Sequence, residues 1–213
     1  MSQPALVLAS TSPFRRELLA RLGLPFRTAS PDVDESHRRD EQAEQLVLRL
    51  AEAKARAVAA QYPAALIIGS DQVAELDGEL LGKPGGRERA IEQLSRASGR
   101  TVVFHTGLCL LGAADGRAQL ACEPFRVRFR TLTRAQIEAY VDREQPFGCA
   151  GSFKSEGLGI ALFERLEGSD PNALIGLPLI RLVDMLAAAG VEVLTALNAA
   201  PADPARPRSP PGP

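Results

Sequence analysis

The stretch that most limits the fold is a period-two run near residue 125. Phe125, Val127 and Phe129 alternate with Arg126, Arg128 and Arg130. Extended chain with that pattern has one apolar face and one cationic face. Thr101–Leu111 is a second long apolar run, and Asp115-Gly116 between the two has the chemistry of a tight turn. The spacing predicts two long strands, Thr101–Leu111 and Gln119–Arg130, so the fold must contain a sheet with one wet face.

Helical and extended patterns interleave around this pair. Ala5–Ala9 reads as a short buried strand, and Ser12-Pro13 then opens a helix, Ser as cap and Pro at its first position. Leu18, Leu19 and Leu22 form its apolar face, and Gly23 stops it. Phe26–Ser30 predicts a second strand, and Pro31–Ser36 an acidic loop. A long helix is expected over Glu41–Gln61, where Leu46, Val47, Leu50, Ala53 and Ala57 recur at helical spacing. Ala65–Gly69, an apolar run ending in glycine, predicts a central strand, and Asp77-Gly78 a hairpin. Further helices are expected over Gly86–Ser98, from Thr133 to about Arg143, and over Leu177–Ala189, with Val191–Leu194 as a last short strand. Hairpins and crossovers together indicate an α/β fold on a central mixed sheet. Residues 1–197 are expected to form one domain. Residues 198–213, with six of the 16 prolines, are expected to be a disordered Pro-rich tail.

Charge and composition remove several functional classes. Lys plus Arg is 25 and Asp plus Glu is 26, a net charge of −1. A general nucleic-acid or membrane-surface binder is normally basic, so neither is expected. No apolar run approaches the roughly 20 residues that span a bilayer. Three cysteines without a CxxC, and two histidines, argue against a disulfide framework or a multi-His metal site and for free thiols in the cytoplasm. The N-terminal segment has no basic region before its apolar stretch, unlike a secretory signal. Of the 25 basic residues only three are lysines, Lys54, Lys83 and Lys154. Where arginine is the default cation, a lysine points to a place that needs a compact ammonium.

Two phosphate-loop patterns fail. Gly78–Pro84 has the spacing of a P-loop one residue short, with Pro84 where a metal-binding hydroxyl belongs, and Gly157-Leu158-Gly159 lacks the third glycine of a dinucleotide loop. What remains are polar groups at predicted element ends. Ser10–Arg16 offers hydroxyls, a helix N-terminus and Arg15 or Arg16 to an anion. Asp32, Asp34 and Glu35 could hold a hard cation. The central strand is expected to deliver Asp71 to its carboxyl end, where open α/β sheets bind ligands. Gly82-Lys83-Pro84 and Ala150–Gly157 are stiff, polar loops. In isolation each also reads as ordinary capping, turn or surface chemistry.

Together the segments LASTSPFRR, PDVDE, RLAEAKA, IIGSDQV, GKP and CAGSFKSEGLGI closely resemble the Maf proteins, or septum formation inhibitor proteins, in order from about Leu6 to Gly190. That family comprises nucleoside triphosphate pyrophosphatases. The resemblance implies a sheet with a deep cleft, similar to inosine triphosphate pyrophosphatases. It also implies hydrolysis between the α- and β-phosphates with a divalent metal, Mg2+ or Mn2+. By the same resemblance Asp71 is the proton acceptor; Ser10, Arg15, Lys54 and Lys83 bind phosphate; Glu35 and Asp71 face the metal. Two routes to an activated water stay open, the Asp71 carboxylate and the metal itself. The positions Phe14, Gln72 and Glu156 resemble the 7-methyl-GTP branch, so the expected reaction is 7-methyl-GTP to 7-methyl-GMP and diphosphate. That would remove a modified nucleoside triphosphate before it enters nucleic acid. The alternatives are a dTTP/UTP pyrophosphatase and a nucleotide-binding regulator of septum formation and cell division. The resemblance also leads to the expectation of a homodimer.

Overall fold

A computed structural model describes residues 4–199. Its seven strands form one mixed sheet in the order β2-β1-β3-β5-β6-β7, with β4 paired to β3. The strands are β1 (Leu6–Ala9), β2 (Phe26–Ala29), β3 (Leu66–Leu76), β4 (Glu79–Leu81), β5 (Thr101–Gly112), β6 (Ala118–Phe129) and β7 (Phe163–Glu167). β1 runs parallel to β2 and β3, and every other pairing is antiparallel. The helices are α1 (Pro13–Ala20), α2 (Ala43–Ala59), α3 (Arg87–Ala97), α4 (Arg134–Glu144), α5 (Pro171–Ile175), α6 (Leu179–Ala188) and α7 (Val193–Ala199). None among the described residues is long and apolar enough to cross a membrane.

The β5–β6 pair matches the alternating pattern. Phe125, Val127 and Phe129 are buried, while Arg126, Arg128 and Arg130 are exposed. Local caps also sit where expected. Ser12 accepts from the Arg15 amide at the start of α1. Thr133 and Gln136 form a reciprocal capping box on α4.

α2 covers one face of the sheet through Ala51, Ala55 and Val58, while α1 and α6 pack their leucines on the other. Two glycines let α2 lie unusually close. A Cβ on Gly69 would stand 2.0 Å from the Ala51 carbonyl oxygen, and one on Gly107 2.2 Å from that of Val47. A third apolar cluster joins α3 and α4 to the far ends of β3, β5 and β6.

Three expectations need correction. Gly69 does not end the central strand, because its role is close packing under α2. β3 continues to Leu76, so Asp71 lies inside the strand. Val191–Leu194 is not a strand: after Gly190 turns the chain at positive φ, α7 begins at Val193. β7 and α5 were not foreseen, although Asp170-Pro171 is a cap-and-proline start like that of α1. Of the expected tail, residues 200–213 lie outside the described residues.

Candidate active site

The cleft exists because the sheet is incomplete beside β3. β1 stops at Ala9, opposite Gly69, and β4 begins its pairing at Ala74. Ser70–Val73 therefore has sheet partners on the β5 side alone among the described residues. A cavity of about 550 Å³ opens against this free edge, within the range of small-molecule sites. Ser10, Phe14, Arg15, Glu35, Lys54, Asp71, Gln72, Lys83 and Glu156 all line it. The structure thus brings these nine residues into one cavity, from six separate parts of the chain. Asp32, Asp34 and Arg16 are not in its lining.

Successive residues on a strand face opposite ways. Asp71 points toward α2, where Lys54 Nζ donates to its Oδ1 at 2.6 Å. The same ammonium meets Glu35 Oε1 at 2.6 Å. Lys54 and Asp71 are buried, at 6% and 7% exposure, so neither charge could stand there unpaired. Asp71 Oδ2 has no hydrogen-bond partner among the described residues. Burial opposes ionisation of Glu35, but the hydrogen bond and charge of Lys54, with Lys83 and Arg15 beyond, outweigh it. They hold its carboxyl below the usual value.

Across the cavity, Ser10 and the N-terminus of α1 face the same space, and the first turn of α1 has no acidic residue to neutralise its dipole. Arg15 is aimed by a distant contact, its Nε donating to the Gly176 carbonyl at 2.8 Å. Ser70 Oγ donates to the same carbonyl at 2.9 Å. Gly176 has φ +123°, which favours glycine, and a Cβ there would press on Arg15 Nε at 3.4 Å. Burial pulls the Arg15 guanidinium down from its ordinary value, while Asp71 and Glu35 push it back; it stays a cation. Lys83 is exposed on the β4–α3 loop and has no ion pair among the described residues. Three cations thus line the cavity with three carboxylates. Since Lys54 holds Glu35 and Asp71, Arg15 and Lys83 are the cations left without an ion pair among the described residues, suited to a phosphorylated anion.

The third lysine does something else. Lys154 Nζ donates to the Glu144 carbonyl at 2.7 Å, satisfying the C-terminal end of α4, and its backbone N–H donates to Tyr140 Oη at 3.0 Å. Phe153 inserts among Phe104, Phe129 and Phe163, with ring centroids 4.7–5.7 Å away. These contacts fix the loop that carries Glu156 at the cavity rim.

Two supports were invisible in the sequence. Gln93 accepts from Ser152 Oγ and donates to the Gly82 carbonyl, tying the Glu156 loop to the Lys83 loop. Arg49 grips Glu41 with two hydrogen bonds of 2.6 and 2.8 Å, and also the Ser36 carbonyl at 3.0 Å. That clamp closes the acidic loop which delivers Glu35. Led by the Arg49 hydrogen bond, the Glu41 carboxyl falls from 4.5 to about 2. A depressed carboxyl stabilises the fold above its unfolded value and loses that contribution as pH falls through the folded one. Glu41→Gln is therefore expected to lower Tm above about pH 4.5, with the gap to wild type closing toward about pH 2. Thermal unfolding of both proteins across that window measures it. A gap that persists undiminished at the acid end would mean the clamp contributes no linked stability.

An α/β sheet with a free central edge, a helix N-terminus, clustered cations and a lysine-held carboxylate defines a cleft protein for a small phosphorylated ligand. Residues 5–189 match the Maf family, Maf-like protein, and the chain belongs to that family. A 7-methyl-GTP pyrophosphatase of Alcanivorax borkumensis is 63% identical over 89% of this chain and 96% of its own length. One from Pseudomonas aeruginosa is 61% identical over 89% of this chain and 99% of its own. The solved Ham1 protein of Staphylococcus aureus superimposes with a TM-score of 0.46 at 17% identity, covering 73% of this chain and 89% of that one.

Proposed function

We propose that the protein is a nucleoside triphosphate pyrophosphatase that converts 7-methyl-GTP to 7-methyl-GMP and diphosphate. The observation that carries the catalytic part is the Asp71 carboxylate, held by Lys54 at the free edge of β3. A cleft that only bound a triphosphate would gain little from an anion beside it. A hydrolase needs a proton acceptor there.

In this reading the phosphates lie against Ser10, Arg15, Lys83 and the start of α1. Asp71 takes a proton from the attacking water. A new phosphorus–oxygen bond forms at the α-phosphorus, and the bond to the diphosphate breaks. Lys54 keeps Asp71 oriented and holds Glu35 beside it. Glu35 and Asp71 are a donor set that fits Mg2+ or Mn2+, which accept one or two carboxylates and fill the remaining positions with phosphate oxygens and water. Such a metal would neutralise charge developing on the phosphates. A homodimer in the cytoplasm, clearing a modified nucleotide before it is incorporated, completes the proposal.

The names of the relatives support 7-methyl-GTP as substrate, and so does the chemistry of the rim. N7 methylation makes the base cationic, which favours the Glu156 carboxylate and the face of Phe14. Glu156→Gln is expected to lower kcat/KM for 7-methyl-GTP by about tenfold, the size of one charge-assisted hydrogen bond, and to leave UTP turnover nearly unchanged. A panel of 7-methyl-GTP, GTP, UTP and dTTP tests this. An unchanged preference in the variant would remove Glu156 from base selection. Faster wild-type turnover of UTP or dTTP would favour the pyrimidine alternative.

A further inference from the structure

Gln72 points away from Asp71, to the face of β3 that meets α5. Its Nε2 donates to the Ala173 carbonyl at 2.8 Å, to the Leu174 carbonyl at 3.1 Å and to Thr106 Oγ1 at 3.0 Å. Thr106 is the residue opposite Gln72 on β5 and is fully buried. Its own hydroxyl proton is committed to the Ala173 carbonyl, at 2.9 Å, so toward Gln72 it can only accept. The two carbonyls belong to the C-terminal half of a five-residue helix; that of Ala173 also accepts from the Gly176 amide at 3.0 Å. α5 is itself anchored: the buried Asp170 accepts from the Asn172 amide at 2.8 Å and from the Ile180 amide at 2.7 Å.

One end of the Gln72 amide is thus surrounded by three acceptors. A flipped amide would set its oxygen against two carbonyls and a hydroxyl lone pair, so this end is the NH2 group. The oxygen Oε1 is left without a protein partner among the described residues, on a side chain that lines the cavity. Glu156, at the same cavity, also offers acceptors alone.

We propose that Thr106, with the α5 carbonyls, locks Gln72 as a hydrogen-bond acceptor toward the base, making Thr106 a positioning residue for base selection. The proposal rests on the 7-methyl-GTP reading and deepens it. The pairing edge of guanine carries two adjacent donors, N1–H and the N2 amino group, and N7 methylation strengthens N1–H by withdrawing electron density. Two fixed acceptors suit that edge. Uracil and thymine carry a single N3–H between two carbonyls, so a second acceptor would face a carbonyl oxygen. Selectivity then comes as much from rejecting the wrong edge as from binding the right one.

The test is steady-state kinetics of Thr106→Val, which keeps the shape and removes the hydroxyl, with Thr106→Ser as the variant that restores it. In Thr106→Val the amide keeps its two carbonyl acceptors but loses the third, so its orientation is held less firmly. KM for 7-methyl-GTP should rise about five- to tenfold, the loss of one buried hydrogen bond, with kcat within about twofold. The ratio of kcat/KM for 7-methyl-GTP over UTP should fall by a similar factor and return in Thr106→Ser. Thr106→Ala carries the same expectation should the valine variant not fold. A merely structural threonine would lower both substrates equally, so an unchanged ratio overturns the role of Thr106 while wild type still prefers 7-methyl-GTP. Wild type that prefers UTP instead overturns the substrate reading, and the proposal with it.

Discussion

Replacing Asp71 with Asn is expected to lower kcat for 7-methyl-GTP by about 10³-fold, within the usual range for loss of a positioned general base. The amide has the same shape but cannot take the proton from water. Lys54 keeps its 2.6 Å contact with Glu35, so the ammonium is not left buried and unpaired. The variant should therefore fold, and its KM should change far less than kcat. This split separates a group acting in the transition state from one that holds the substrate. If KM rises steeply while kcat stays near wild type, Asp71 serves binding, and the proton goes elsewhere.

The second large effect is on stability. Gly69→Ala is expected to cost about 3 kcal/mol, at the upper end for forcing atoms into a packed interior. The added Cβ would meet the backbone oxygen of Ala51 at 2.0 Å, and neither side of that contact is a flexible side-chain end. β3 and α2 must separate. In a chain of this size the loss corresponds to a Tm lower by about 10 °C, which scanning calorimetry would detect. Because α2 carries Lys54 and β3 carries Asp71, the same separation should also reduce kcat. A Tm within a degree of wild type would mean that α2 can shift without cost, and that the close approach is not what seats Lys54.

Local chemistry was legible. The Ser12-Pro13 start of α1, the Thr133 cap of α4 and the Asp77-Gly78 hairpin each depend on a few consecutive residues, and each stands where the sequence places it. The alternation around Phe125–Arg130 likewise predicts which face is buried. Long-range packing was not legible. Gly69 read as a terminator because a glycine leaving room for another backbone is indistinguishable, in sequence, from one making a turn. Val191–Leu194 read as a strand because β-branched residues favour extension, and its burial does alternate, but after the turn at Gly190 the chain enters α7 at Val193.

The site followed the same division. The ordered segments pointed to nine residues that meet at one cavity. What each one touches depends on contacts between distant parts of the chain. Arg15 is aimed by Gly176, 161 residues away, and Gln72 by Ala173, 101 residues away. Of the three lysines that the composition singled out, Lys54 and Lys83 line the cavity. Lys154 instead caps α4, a role that loop composition does not reveal.

We propose that a lysine-held carboxylate at the open edge of β3 drives cleavage between the α- and β-phosphates. Product analysis tests it most directly: wild type and Asp71→Asn, each incubated with 7-methyl-GTP and Mg2+, with monophosphate and diphosphate measured together. Wild type should release 7-methyl-GMP and diphosphate in equal amounts, and Asp71→Asn should bind the substrate but release almost none. Tight binding by wild type without diphosphate release, or full release by Asp71→Asn, would contradict it.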